Sequence, residues 1–269
     1  MEMKYDLVNE IAERKSVRSF DGRPVDDVLL KRIMDYASTA PQLQVGQPAR
    51  AGSISGGEGK NENLGTYGVI SGARDFLVLV GGDDELSLMN AGFYFEHIIL
   101  YCTALGLGTC WLGGTFDRRR FTAGMTLASD EHLLIVSPLG YGAAKKRVLE
   151  KIMRFSVGSA RRKEMDRLFF YGDFKTPVSA SDKYYRALEN VRLAPSARNG
   201  QPWRAVILPD RVRFYVEGGS PKFVPVDMGI ALCHFSLSVA SMGMNGRFEV
   251  EQGVDGHATM RYMISWIPD

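Results

Sequence analysis

Apolar positions along the chain recur with two periods. Over residues 28–38, Leu29, Ile33, Met34 and Ala37 fall on one helical face, and over residues 183–193 Tyr184, Ala187, Leu188 and Val191 do the same. Pro41 and Pro195 follow these runs closely and stop them, because the residue before a proline is pushed out of helical conformation. A shorter helix is expected over residues 7–13. Two further stretches, 88–107 and one spanning Gly229 to Gly243, are apolar on every side, the pattern of a helix surrounded by core. The first is nearly long enough to cross a bilayer, but it carries Asn90, Glu96 and His97 and lacks basic flanks, so a buried helix is the better reading. β-branched and aromatic residues predict strands at 76–80, 133–136, 205–208, 212–216, 248–251 and 260–266.

The elements come in two sets because the sequence repeats itself. Residues 40–51 (APQLQVGQPARA) align without gaps to residues 194–205 (APSARNGQPWRA), with seven identities in twelve positions. Each copy follows one of the proline-stopped helices. Downstream the match resumes, with Gly92, His97, Leu100 and Gly106 corresponding to Gly229, His234, Leu237 and Gly243; the offset falls from 154 to 137. An additional loop in the first copy accounts for the change, and residues 51–68 have the Gly, Ser and Asn content of a flexible insertion. The halves are therefore 1–155 and 156–269. The fold class expected is α+β, two tandem half-repeats forming a pseudo-dimer around central helices and sheets. No Pro/Ser-rich linker separates the halves, which favours packing as one unit over two independent domains.

Composition narrows the partners more than the fold. Lysine and arginine number 33 against 31 aspartates and glutamates, so no global basic field points to nucleic acid or an anionic membrane surface, and any anion site must be local. Three cysteines without a CxxC spacing fit a reducing compartment, with the cytoplasm as the default. The N-terminus has early acidic residues and no apolar core of a signal peptide.

Four segments in order carry a family resemblance. RKSVR at 14–18, after a helix and before Ser19 and Phe20, resembles the RRSxRxF signature that opens nitroreductase-family proteins. APSARNGQPW at 194–203 resembles the family's APSxxNxQPW. GLGTCWLGG at 106–114 resembles the segment that passes the flavin ring, and LGYGAAKKR at 139–147 resembles the closing segment with its basic residues. The resemblance implies a nitroreductase-like fold and an FMN cofactor. In that family each FMN lies at a homodimer interface, gripped by three of these segments from one subunit and the PSxxNxQP segment from the other. For a tandem fusion it implies a single site drawn from both halves, in a chain that functions as a monomer. The complementary set is eroded: Arg167 to Tyr171 stands opposite RKSVR, and Pro41, Gln42 and Val45 stand opposite Pro195, Ser196 and Asn199.

The resemblance implies site residues that their chemistry suits. Arg14, Arg18, Lys146 and Arg147 are cationic donors for the FMN phosphate. Lys15 and Ser16 suit the polar edge of the flavin, where Lys15 or a neighbouring donor would stabilise negative charge near N1. Pro195, Ser196 and Ala197 allow close backbone approach, and the amides of Asn199 and Gln201 offer donors and acceptors. Leu112, Gly113 and Gly114 place backbone against a flat ring. The activity implied is hydride transfer from NADH or NADPH through flavin N5 to a small planar acceptor such as a nitroaromatic or quinone, with no catalytic side chain named. Dehalogenating or flavin-fragmenting chemistry, oxidation of a peptide heterocycle, a flavin-binding or redox-sensing protein without turnover, and a scaffold that has lost FMN are the alternatives. His97 and His234 read as paired core histidines across the pseudo-dyad rather than metal ligands, since no HExxH or carboxylate spacing accompanies them. The runs 118–120 and 161–163 read as solvated helix faces, and Cys110 lacks an activating base.

Overall fold

The computed structural model describes residues 6–55, 65–123, 125–144 and 161–269. In chain order its first half has α1 (Glu10–Glu13), α2 (Asp27–Thr39), β1 (Arg50–Ser55), β2 (Asp75–Gly81), α3 (Glu85–Ala104), β3 (Gly108–Thr109), α4 (Arg118–Thr122) and β4 (His132–Gly140). The second half has β5 (Phe169–Tyr171), α5 (Tyr185–Leu193), β6 (Trp203–Leu208), β7 (Arg211–Glu217), α6 (Val224–Ser241), β8 (Gly246–Glu249) and β9 (Met260–Pro268). Local chemistry sets the helix starts. Asp26 accepts from the backbone N–H groups of Val28 and Leu29 at the head of α2, and Asp84 does the same for Leu86 and Ser87 at the head of α3. Pro225 occupies the first turn of α6, where its missing N–H costs nothing.

Two sheets flank the helices. The first has strand order β1-β2-β4-β3 and is antiparallel throughout; the second has order β5-β6-β7-β9-β8, with β5 parallel to β6. Every residue of β2 is buried. Leu77 and Leu79 face the main core, while Phe76, Val78 and Val80 join Phe116 and Phe121 on the outer side, so this strand is covered on both faces. Between the sheets lie α3 and α6, which pack on each other and are buried over most of their length. By length and composition α6 could cross a membrane, but here it is a core helix.

The contact between α3 and α6 is built on equivalent glycines. A Cβ on Gly92 would overlap the carbonyl of Val226, and a Cβ on Gly229 would overlap the Met89 carbonyl oxygen and the Phe93 nitrogen. Helix backbones therefore touch at the point about which the sequence repeats, and the half-repeat reading acquires a physical centre.

The polar segment 51–68 departs from expectation. Its start belongs to β1, in full antiparallel register with β2 from Arg50 opposite Val80 to Ser55 opposite Asp75. RAGSIS is an edge strand with one solvated face, so it lacks the apolar density that marks its neighbours. The central part of that insertion, 56–64, lies outside the described residues. The short strands β3 and β5 were likewise not anticipated.

Candidate functional site

Three first-half segments are knitted together by backbone hydrogen bonds. The Val17 N–H donates to the Thr109 carbonyl at 2.8 Å, fixing RKSVR against β3, and Asp21 N–H donates to Tyr141 O at 3.0 Å. Ala143 N–H donates to Ser19 O at 2.9 Å, which brings in the closing segment. Leu112 exchanges both backbone bonds with Val136, so the stretch after β3 lies along β4. A cavity of about 490 Å³ opens here, lined by Lys15, Ser16, Ser19, Gly108, Gly142 and Ala143, with Glu10 and Glu13 among its walls. A larger one of about 680 Å³ lies among residues 83–88, 132–135 and 221–226 and includes none of RKSVR.

Lys15 lines the cavity, but its neighbour Arg14 turns inward. The Arg14 side chain is 7% exposed, and its Nε lies 3.7 Å from Oε1 of a fully buried Glu96. Glu96 also accepts from Trp111 Nε1 at 2.9 Å and lies 3.0 Å from His234 Nε2. His234 Nδ1 is 2.9 Å from the Asn190 carbonyl, which only accepts, so Nδ1 carries hydrogen and one proton is shared between Nε2 and Oε1. One carboxylate on α3 thus ties together the RKSVR segment, the ring segment through Trp111 and the opposite central helix. Trp111 in turn packs edge-on to Phe95.

Both histidines are buried core residues that face the opposite central helix, and each is bonded to a residue of that helix rather than to the other imidazole. His97 Nδ1 lies 2.9 Å from the Phe93 carbonyl and 3.2 Å from Cys233 Sγ. Burial pushes the His97 imidazole down to about 4 and the Cys233 thiol well above its usual range, so both stay neutral. By the repeat, Cys233 is the counterpart of Glu96. Each half therefore sets its residue at this position against the other half's histidine, an acid in one case and a thiol in the other.

In the second half, APSARNGQPW forms a strained turn. Arg198, Asn199 and Gln201 have φ of 52°, 56° and 48°, whereas the matching first copy uses a left-handed conformation only at Gly46. Holding non-glycine residues there costs about 1–3 kcal/mol each, and such strain concentrates at functional sites. The turn is over-determined by its bonds. Ser196 Oγ accepts from Gln201 N–H at 2.9 Å, and the Asp227 carboxylate accepts from Ala197 N–H at 2.9 and 3.2 Å. Asn90 holds Leu43 N–H in the same way at 2.8 Å in the first copy.

Asn199 and Gln201 face a segment that sequence reading placed elsewhere. Arg162 donates to Asn199 Oδ1 at 2.6 Å and to Leu193 O at 2.9 Å; Lys163 N–H donates to Gln201 Oε1 at 2.8 Å; Asn199 Nδ2 donates to Arg161 O at 2.8 Å. Residues 161–164 are not helical, and Arg162 and Lys163 are half-buried, so this run is no solvated helix face. The run 118–120 does lie on an exposed helix. Arg167, matched to RKSVR by sequence, is exposed in a short 3-10 turn over Met165–Arg167.

Of the other expected residues, Leu112 is buried and Gly113 lies against the Phe223 ring at the head of α6, while Gly114 borders open space. Pro195 and Ser196 are half-buried at the start of the strained turn. Arg18 contributes its carbonyl to Ser71 N–H at 2.9 Å. Lys146 and Arg147 lie outside the described residues. Sequence reading did not single out Glu96, Arg162 and Asp227, which hold the segments described above. A charged residue inside an all-apolar helix was the available signal for Glu96. Among the described residues no cluster of three metal-ligating side chains occurs.

Asp227 leads to a pH prediction. Burial raises its carboxyl from 3.8 to about 7, opposed by the Ala197 N–H bond. The native state therefore binds this proton more tightly than the unfolded chain does, and stability is lost as pH rises through the window from about 4 to about 7. Asp227→Asn, which installs the residue of the first copy, should gain on the natural protein across that window and level off above it. Urea midpoints at intervals from pH 4 to 8 measure this, and a difference that is flat with pH contradicts the assignment.

Two antiparallel-dominated sheets around a glycine-crossed helix pair, contributed by two half-repeats, define an α+β fold of the nitroreductase kind. The family model "Putative TM nitroreductase" matches residues 6–239, and the chain belongs to that family. A putative nitroreductase from Thermotoga maritima is similar in structure over 99% of this chain and 95% of its own, with a TM-score of 0.62 and 17% identity. A nitroreductase family protein from Clostridium difficile covers 57% of this chain with 92% of its own, at 22% identity and a TM-score of 0.42. A nitroreductase with bound FMN from Bacteroides fragilis covers 54% with 92% of its own, at 17% identity and a TM-score of 0.40. No curated protein matches the chain in sequence.

Proposed function

We propose that this chain is an FMN-dependent oxidoreductase, passing hydride from NADH or NADPH to a small planar acceptor of nitroaromatic or quinone type. One flavin site per chain is assembled from both halves, so a single chain takes the place of a dimer. The observation that carries this reading is Arg14. Its guanidinium is buried, its Nε and Nη1 have no hydrogen-bond partner among the described residues, and it meets Glu96, which holds Trp111 of the ring segment, while its charge is felt by Arg162, which bonds the second-half turn. Leaving buried donors unmade costs about 1–3 kcal/mol each, and an anionic ligand placed there would recover it.

The residues fit FMN in other respects as well. When bound, FMN supplies hydride acceptance and release at N5, which the protein's own side chains cannot provide. Lys15 and Ser16 lie on the cavity for the polar edge, Gly114 offers bare backbone, and Trp111, held by Glu96, stiffens the ring segment from behind. The strained turn at 195–201 approaches Arg14 through Arg162, which bonds Asn199 and lies within the field of Arg14, while the described lining of the cavity itself comes from the first half. Lys146 and Arg147 complete the anion grip in this reading. The other pseudo-site lacks the same parts: Gln42 bonds both backbone groups of Ala49 instead of leaving a small residue there, Val45 stands where Asn199 does, and Cys233 stands where Glu96 does.

Arg14→Ala should weaken FMN binding by roughly a hundredfold, the worth of a buried charge-assisted donor pair. Arg167→Ala should leave it within twofold. Flavin fluorescence titration of the refolded apoprotein measures both, and equal effects would contradict a single site at Arg14.

A further inference from the structure

We infer that Arg162 and Arg192, both from the second half, join Arg14 to form a site for a phosphate-type dianion that bridges the two halves. This rests on the flavin reading only for the identity of the molecule that carries the phosphate. Neither second-half arginine belongs to a segment that resembles a family signature.

Three observations converge. Arg14 is more than nine-tenths buried with two unpartnered donor atoms, and Arg192, in the last turn of α5, has a buried Nε in the same condition. Arg162 donates to the carbonyl of Leu193, the residue after Arg192, and α1, which ends at Arg14, packs against α5. Burial, then the nearby charges of Arg14 and Arg192, bring the Arg162 guanidinium down to about 10, so Arg162 lies within the field of both. Among the described residues, no carboxylate lies within ion-pair distance of Arg162 or Arg192, and Glu96, the single partner of Arg14, is shared with His234.

Three like charges gathered where water is scarce repel one another, and one shared carboxylate does not offset them. An anion removes the repulsion and satisfies the orphaned donors together. Its shape follows from their origin. The cations belong to three separate segments, the end of α1, the 161–163 segment and the end of α5, and the unpartnered donors are those of Arg14 and Arg192, whereas a carboxylate presents two oxygens in one plane. A tetrahedral oxyanion presents three or more, and guanidinium is the side chain best matched to it. Asn199 already fixes Arg162 in position, which lowers the entropy lost on binding.

The phosphate can belong to FMN or be free inorganic phosphate, and two titrations separate them. The full chain, stripped of ligand, is titrated with FMN and with riboflavin, and its Tm is followed in inorganic phosphate against chloride at equal ionic strength. The natural protein should prefer FMN over riboflavin, and Arg192→Gln and Arg162→Gln should each cut that preference by roughly tenfold or more while riboflavin affinity holds, which also reports that the variants are folded. Arg192→Lys should retain part of the preference, and the phosphate-induced rise in Tm should vanish in both glutamine variants. An undiminished FMN preference in both variants overturns the inference and leaves the flavin reading standing. A phosphate-induced rise in Tm that depends on Arg192, in a chain that binds no flavin, supports the inference and removes the flavin reading. A chain indifferent to phosphate and to both flavins overturns both.

Discussion

Alanine at Gly229 is expected to lower Tm by roughly 6–12 °C, the effect of about 3 kcal/mol in a chain of this size. The added methyl has no space to enter: it would meet the Met89 carbonyl oxygen and the Phe93 nitrogen, backbone atoms of α3 that cannot rotate away. Gly92→Ala should behave alike, because its Cβ would meet the Val226 carbonyl from the other side. Either the helices move apart and lose the burial between them, or both bend. Gly114→Ala is the control, as nothing lies within 4 Å of its Cβ and no unusual φ is needed. Scanning fluorimetry on the three variants suffices. A Gly229→Ala protein as stable as the Gly114→Ala protein would mean that the helix crossing is looser than described.

The second large effect is expected at Glu96. Glu96→Ala removes the acceptor of Trp111 Nε1, the proton-sharing partner of His234 and the counter-charge of Arg14 at one stroke. Breaking a buried ionic group by deleting one member costs about 3–5 kcal/mol, since the remaining members stay buried without compensation. The matching change in the other half, Cys233→Ala, takes away one weak contact to His97 and a small volume, so it should cost about 1–2 kcal/mol. The asymmetry is the point of interest, because symmetric packing alone would make the two substitutions comparable. Chemical unfolding of Glu96→Ala, Arg14→Ala and the double variant should show coupling, the double costing clearly less than the sum. Strict additivity would indicate that Arg14 and Glu96 do not act on each other.

These expectations depend on features that differ in how openly the sequence displays them. Periodicity marks the long helices and six of the strands because each buries an apolar face or is buried whole, and Pro41 and Pro195 locate the ends of α2 and α5. Gly92 and Gly229 were visible as a repeat pair, though not as a backbone contact. RAGSIS was hidden because an edge strand with one wet face needs little apolar content, and β3 and β5 are too short to show a period.

At the site, RKSVR was legible as a cluster of cations, but its two sides were not. Adjacent residues point apart, so Lys15 meets the cavity while Arg14 meets Glu96. The role of Arg161–Lys163 was misread for a different reason. Composition alone gives a basic run, and only the tertiary placement of Asn199 and Gln201 reveals that this run is bound into the turn. The left-handed residues at 198, 199 and 201 could not be read at all, since none is glycine and their conformation is imposed by surrounding bonds.

Spectroscopy of the purified chain, with the ratio of released flavin to polypeptide, decides whether the two halves share one pocket. Reconstituted with excess FMN and freed of unbound ligand, the protein should absorb near the visible flavin bands and carry one FMN for each chain. Two per chain would mean that the second pseudo-site still functions, and none would contradict the shared flavin pocket.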